Sequence, residues 1–228
     1  MMSPTAPGCD IRDLYIIHRV LRTAFSRAPG LVAAAGDDPA RHELLDAHIK
    51  EITEALHRHH HGEDLTLWDR LAERRPACAL HVEQMRAQHA DIGRRLTDVK
   101  NAHARWKADR SGANAELAAA LEAVDTVLAA HLGDEEAFVA EHAPALLTQT
   151  EWDEMRDHGI AGIPKNRLLI QLGYMLRAFE SEEERAEFWR AIPLPARAMY
   201  RLFGERQLTR ELTALYGPDD AAGRSADA

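Results

Sequence analysis

Four long segments carry apolar residues at steps of three and four, the spacing that puts side chains on one face of an α-helix. They cover residues 10–28, 39–74, 79–107 and 115–142. The links between them are short and rich in Gly, Pro and Asp, and almost no strand-like alternation occurs. Helices of this kind bury their apolar faces against one another. The sequence therefore predicts an all-α fold, an up-down-up-down four-helix bundle.

The chain changes character after the fourth helix. Glycine and proline divide residues 148–216 into shorter segments, and TQTE (148–151) and SEEE (181–184) have the form of helix-capping boxes. We expect residues 8–147 to form the bundle and 148–216 to form a C-terminal helical extension. The polar residues 217–228 are predicted to be a disordered tail.

Composition and charge argue against several classes of protein. The net charge is −9 and no basic stripe occurs, so nucleic acid is not an expected partner. No apolar run approaches the roughly 18 residues of a membrane span. Cys9 and Cys78 have no metal or redox spacing, and the start of the chain lacks the pattern of a signal peptide. We therefore expect a cytoplasmic protein.

Each predicted bundle helix has one histidine near the middle of its apolar face, and in two helices a glutamate follows four residues later. These residues are His18, His59, Glu63, His89, His131 and Glu135. Burying a polar group without a partner costs about 1–3 kcal/mol, and a buried charge costs more. One such histidine is most often a hydrogen-bonded core residue. Four of them with two glutamates are better explained by a pair of cations bridged by the carboxylates.

The residue types narrow the choice of metal. Nitrogen and oxygen ligands without thiolate suit iron or manganese, with zinc as an alternative. A ferritin-like di-iron bundle needs two E-x-x-H motifs, and only EALH (54–57) fits that spacing. The H-E-x-x-H motif of zinc proteases does not occur in the chain. A bundle with H-x-x-x-E motifs therefore remains the favoured metal site.

The run HRHHH (57–61) contains four histidines. By its spacing, only His59 falls on the predicted apolar face. The other three are expected on a solvated face, with a proton relay through His60 and His61 as the alternative.

Two acids directly follow the glutamates of the predicted site. Asp64 and Glu136 are expected to orient a histidine or to lie on the surface rather than to bind metal. His158, in DHGIAG, is expected to have a role at a helix terminus.

These motifs together resemble the hemerythrin-like domain, also called the HHE cation-binding domain. The resemblance covers residues 10–147 and is carried by His18, HHHGE (59–63), QHADI (88–92) and HLGDEE (131–136). Residues 147–176 resemble an extension found on a branch of these proteins in high-GC Gram-positive bacteria.

The resemblance implies two iron ions in an Fe–O–Fe centre inside the bundle, with manganese or zinc less favoured. Glu63 and Glu135 would bridge the irons. His18 and His131 would bind one iron, and His59 and His89 the other.

One departure from the oxygen-carrying hemerythrins concerns the third helix. Met85 occupies the position of their additional histidine. Each iron would then have five ligands and one open position. Such a centre suits reaction with a small molecule more than tight oxygen storage.

The resemblance thus implies a protein that binds O2, NO or peroxide and exchanges electrons with it, as a di-iron oxidoreductase. An electron-donor protein is an expected partner. Two alternatives stay open: an O2, NO or redox sensor or carrier without turnover, and an iron-handling protein.

Overall fold

The computed structural model describes residues 8–109 and 113–218. Within these ranges the fold is all-α, as predicted. The helices are α1 (Arg12–Ala33), α2 (Pro39–Thr66), α3 (Trp68–Arg74), α4 (Ala79–Ala108), α5 (Asn114–Leu146), α6 (Gln149–Ala161), α7 (Leu168–Arg177), α8 (Glu182–Ala191), α9 (Leu194–Met199) and α10 (Glu205–Tyr216). A 3-10 turn (Pro76–Cys78) precedes α4, and a π-helical turn (Tyr200–Gly204) joins α9 to α10. The predicted disordered tail lies, from residue 219 on, outside the described ranges.

The four long helices α1, α2, α4 and α5 form the bundle. Helix α1 packs against α2 and α5, and α4 packs against the same two helices from the other side. Asp38 caps α2 as its sequence suggests: the side chain accepts a hydrogen bond from the backbone N–H of Ala40, with Pro39 in the first turn. The predicted bundle is confirmed.

Two helices continue past the prolines that were expected to end them. Helix α1 runs through Pro29 to Ala33, because the next turn is hydrogen-bonded and Val32 is fully buried. The turn that follows is made at Gly36, whose φ of +63° suits glycine. Helix α5 passes Pro144 and ends at Leu146. The predicted second helix, in contrast, is divided at Leu67 into α2 and α3.

The bundle core has two apolar clusters with a polar layer between them. One cluster includes Leu21, Leu56, Ile92 and Leu128. The other includes Leu14, Leu67, Met85 and Phe138. Along each bundle helix the predicted site histidine lies between a residue of one cluster and a residue of the other. The apolar stripes therefore form the core, and the histidines form a layer across its middle.

The C-terminal helices pack on the bundle through polar contacts as well as apolar ones. Thr148 and Glu151 form a complete capping box at the start of α6. Buried Trp152 donates its indole N–H to Asp13 at 2.8 Å. No helix among residues 8–109 and 113–218 is long and apolar enough to cross a membrane.

Farther along the chain, one arginine joins the extension to the bundle. The guanidinium of Arg167 donates to Glu51 of α2 at 2.8 Å and to Glu211 of α10 at 2.6 Å. The hydroxyl of Tyr174 donates to the same Glu211 at 2.9 Å. We call these four residues the Arg167 network.

Candidate metal centre

The structure brings all six predicted site residues together in the polar layer of the bundle. His18, Glu63 and Glu135 are fully buried, His131 and His89 nearly so, and His59 is largely buried. The histidines form two pairs. The Nε2 atoms of His18 and His59 lie 2.9 Å apart, and those of His89 and His131 lie 3.2 Å apart.

Each glutamate reaches one histidine of each pair. Glu63 oxygens lie 3.1 Å from Nε2 of His59 and 3.6 Å from Nε2 of His89. An oxygen of Glu135 lies 3.4 Å from Nε2 of His18 and 3.4 Å from Nε2 of His131. This arrangement suits two carboxylates that each bridge two ions.

The grouping of the histidines differs from the one that the resemblance implied. His18 lies beside His59, and His89 lies beside His131. A ligand set that joined His18 to His131, and His59 to His89, would combine histidines from different pairs. The implied sharing of ions stays a prediction; the six residues lie in one cluster, and its shortest histidine contacts join His18 to His59 and His89 to His131.

His60 also belongs to this cluster, which corrects the expectation that it lies on a solvated face. Its side chain is buried, and its ring stacks on His89 with centroids 4.2 Å apart. His60, His89 and His131 each offer a nitrogen within 4.8 Å of the others, which is a geometry that could hold an ion. His18, His59, Glu63 and Glu135 form the second such group. His57 and His61 are exposed, as predicted.

The carboxylates of the cluster have no other use in the fold. Among the described residues, neither oxygen of Glu63 nor of Glu135 has a hydrogen-bond partner, although both side chains are fully buried. Burial raises the pKa of Glu63 well above its usual range, and the neighbouring Glu135 raises it further. Burying four carboxylate oxygens without hydrogen-bond partners is costly, and a bound cation would remove that cost.

Three histidines of the cluster, His59, His60 and His131, are kept neutral by their burial. Burial lowers the pKa of His59 and His60 well below the usual value, and the other rings nearby add to this effect. Burial and the neighbouring His89 lower the pKa of His131 to about 3. Metal ligation requires neutral imidazole, so these rings are in the right protonation state at pH 7.

Three polar side chains hold histidine rings of the cluster by hydrogen bonds at Nδ1. Nδ1 of His18 bonds Glu136, Nδ1 of His89 bonds Asp64, and Nδ1 of His131 bonds Gln88, each at 2.9 Å. An acceptor at Nδ1 sets the tautomer that leaves Nε2 free to bind a metal.

The orienting role considered for Asp64 and Glu136 is thus the one that the structure supports. Burial raises the pKa of Glu136, but hydrogen bonds from His18 and Arg22 outweigh burial and lower it to about 2. Glu136 is therefore an anion that holds the His18 N–H. Sequence reasoning missed Gln88, whose position one residue before His89 was the available signal.

Several other candidates stand apart from the cluster. Met85 is fully buried among apolar residues one turn before His89. His48 is buried near Tyr216, away from the polar layer. His158 lies in the last turn of α6, as expected, and its ring contacts α2 at Gly62.

Comparison with known proteins agrees with this geometry. The sequence profile of the hemerythrin HHE cation-binding domain matches residues 9–143, more than half of the chain. Searches of curated proteins and of solved structures find no match. The match covers the four bundle helices and every residue of the buried cluster. The chain belongs to the hemerythrin HHE cation-binding domain family.

Proposed function

We propose that the protein holds two iron ions in this cluster and exchanges electrons there with O2, NO or peroxide. The observation that carries the proposal is the position of four unsatisfied carboxylate oxygens between two histidine pairs. Iron, when bound, supplies the redox chemistry and the affinity for small oxidants. The nitrogen and oxygen donors suit iron, and no thiolate is present to favour a softer ion.

The protein's own residues make the two halves of the site unequal. His60 gives His89 and His131 a third imidazole beside them, whereas His18 and His59 lack one. We therefore propose His60 as a seventh ligand, in addition to the six inferred from the sequence. His60, His89 and His131 would then hold one ion, and His18 and His59 would offer the other ion fewer imidazoles.

The surroundings of the cluster exclude bulk water. Apolar clusters lie above and below the polar layer, and Leu14, Leu21 and Leu128 are almost fully buried. Only a small molecule fits such a site without unfolding part of the bundle.

The two cysteines, Cys9 and Cys78, are free thiols, so we propose a reducing cytoplasm as the compartment, with an electron-donor protein as partner.

A second candidate function, a sensor or carrier without turnover, is supported by hydrogen bonds that lead from His18 to a cavity. A cavity of about 420 Å³ lies between α1 and the extension and is lined by Arg22, Glu136, Phe179 and Glu180. Arg22 donates to Glu136 at 2.6 Å, and Glu136 bonds His18. A change at the metal would thus reach the wall of this cavity, which the extension also lines, through one carboxylate.

Stopped-flow spectra of the reduced, iron-loaded protein separate these functions. We expect repeated turnover of O2, NO or hydrogen peroxide when a reductant is supplied. A stable adduct without turnover would favour the sensor or carrier. Release of the iron to a chelator on oxidation would favour iron handling. Elemental analysis that finds zinc alone in the untagged protein would contradict every redox function.

A further inference from the structure

Three histidines outside the buried cluster form a row of ring contacts, His57 to His61 and His61 to His158, where α6 packs on α2. His57 and His61 are exposed and lie four residues apart on α2, and His158 is partly exposed on α6. The ring centroids of His57 and His61 are 6.1 Å apart, with planes inclined by 14°. The centroids of His61 and His158 are 5.6 Å apart. These three rings share no residue with the buried cluster.

A glycine in α2 makes room for the third ring. A β-carbon at position 62 would lie 3.2 Å from Cδ2 of His158, closer than most such contacts. A glycine inside a helix has a free-energy cost relative to alanine. At Gly62 this cost is offset by letting the His158 imidazole rest against the backbone beside His61.

A second close contact between the two segments lies just after α6. A β-carbon at Gly162, just after α6, would collide with the side chain of Arg58. The two helix surfaces therefore approach through a glycine on each side. The His158 ring therefore lies close to the α2 backbone at Gly62, beside the ring of His61.

We propose that His57, His61 and His158 form a second metal site, which binds one divalent ion of the Zn²⁺, Ni²⁺ or Cu²⁺ type. Imidazole suits these ions, and two histidines four residues apart on one helix face can bind the same ion. With metal–nitrogen bonds of about 2 Å, two imidazoles on one ion have centroids roughly 5 Å apart. The observed separations of 6.1 and 5.6 Å exceed that value by about 1 Å or less, and a change in χ1 of the exposed His57 and His61 side chains would bring the rings closer.

This site explains the two histidines of the HRHHH run that the buried cluster does not use. His59 and His60 lie in the bundle interior, whereas His57 and His61 are exposed and His61 contacts His158 of α6. Two ligands come from the bundle and one from the extension. A bound ion would therefore fasten α6 to α2.

Isothermal titration with Ni²⁺ tests the proposal on the full-length protein with its buried centre already loaded. We expect one further equivalent of Ni²⁺ to bind. The double variant His57→Ala/His61→Ala should bind it at least tenfold more weakly, and His158→Ala should also weaken it. The control His142→Ala, on α5, should bind like the parent. Metal retained at the buried centre, measured by elemental analysis, should be the same in all variants and shows that they are folded.

Hydrogen exchange of the α6 amides tests whether the ion joins the two helices. Ni²⁺ should slow exchange in α6 of the parent and should have no such effect in His158→Ala. The proposal is overturned if the parent binds no further Ni²⁺, or if the double variant binds it as tightly as the parent. Equal affinity and equal exchange in His158→Ala would overturn the bridging role of α6.

Discussion

The imidazole of His60 stacks on that of His89, with centroids 4.2 Å apart and planes inclined by only 12°. Among the described residues, Nε2 of His60 is buried without a hydrogen-bond partner. A buried imidazole that is neither bonded nor exposed costs free energy unless something else satisfies it. A metal ion shared with His89 and His131 would do so.

Substitution of His60 therefore gives the first prediction. His60→Ala should lower the metal content of the purified protein, because one ion loses its third imidazole. It should also change the optical spectrum of the iron-loaded form. His61→Ala is the matched control: the neighbouring exposed histidine should leave the metal at the buried centre unchanged. Parent-like metal content and spectrum in His60→Ala would show that this ring is only packed against the site.

Removal of a bridging carboxylate gives the second prediction. Glu135→Ala, like His59→Ala, should lose metal and thermal stability together, since metal binding and folding are coupled. We expect less than one ion per chain and a melting temperature at least roughly 5 °C lower than that of the loaded parent. Elemental analysis and calorimetry measure both. Two irons per chain in either variant would exclude the proposed ligand set.

The orienting side chains give the third prediction. Glu136→Ala removes the acceptor that holds Nδ1 of His18, and metal affinity should fall by about 10- to 100-fold. Competition with a chelator of known affinity measures the change. The control is Glu122→Ala, an exposed glutamate on the same helix, which should compete as the parent does. Asp64→Ala should resemble Glu136→Ala, because it removes the acceptor of His89.

Helical spacing alone predicted the fold and most of the site. Each predicted apolar face contained one site histidine, and steps of four from His59 and His131 led to Glu63 and Glu135. Two chemical facts made this pattern readable: the periodicity of a helix is regular, and buried carboxylates need a partner. Both are properties of the chain that do not depend on its detailed packing.

His60 was predicted to be solvated because the apolar face of α2 was taken to be only one residue wide. Glu63 lies four residues after His59 and three after His60, so both rings flank it on the helix surface. His60 is also four residues after Leu56 and seven before Leu67, both of which are buried. A bundle helix buries a face wide enough for both positions. The signal was therefore present in the spacing.

The pairing of the histidines could not be read from spacing. Which rings share an ion depends on how the four helices are arranged around the core and at what height each crosses the polar layer. The link between α6 and α2 was inaccessible for the same reason. His158 is 97 residues from His61 in the sequence, and nothing local to either position predicts their contact.

The fourth prediction concerns pH and the ion pair between Arg74 and Glu151, at the start of α6. The Arg74 guanidinium and the hydrogen bonds of Thr148 lower the pKa of Glu151 to about 2 from a usual 4.5. A carboxyl whose folded pKa is depressed stabilises the fold above its unfolded pKa. This contribution is lost as the pH falls through the range between about 4.5 and 2.

Chemical denaturation at a series of pH values tests this effect. Glu151→Gln should flatten the loss of stability with acid in that range, by at most about 1 kcal/mol because the pair is partly exposed. Glu43→Gln, at an exposed position of α2, should keep the parent's slope. An identical slope in the Glu151 variant would show that other carboxyls account for acid unfolding.

The Arg167 network has a mechanical consequence. Because Glu51 and Glu211 share one guanidinium, α10, the last helix of the described residues, is anchored to α2. The C-terminal extension is therefore tied to the bundle at α10 as well as at α6. A small rotation of α2 would be carried to α10 through this shared guanidinium, together with the hydrogen bonds that Arg41 of α2 donates to the backbone carbonyls of Ala214 and Leu215 in α10.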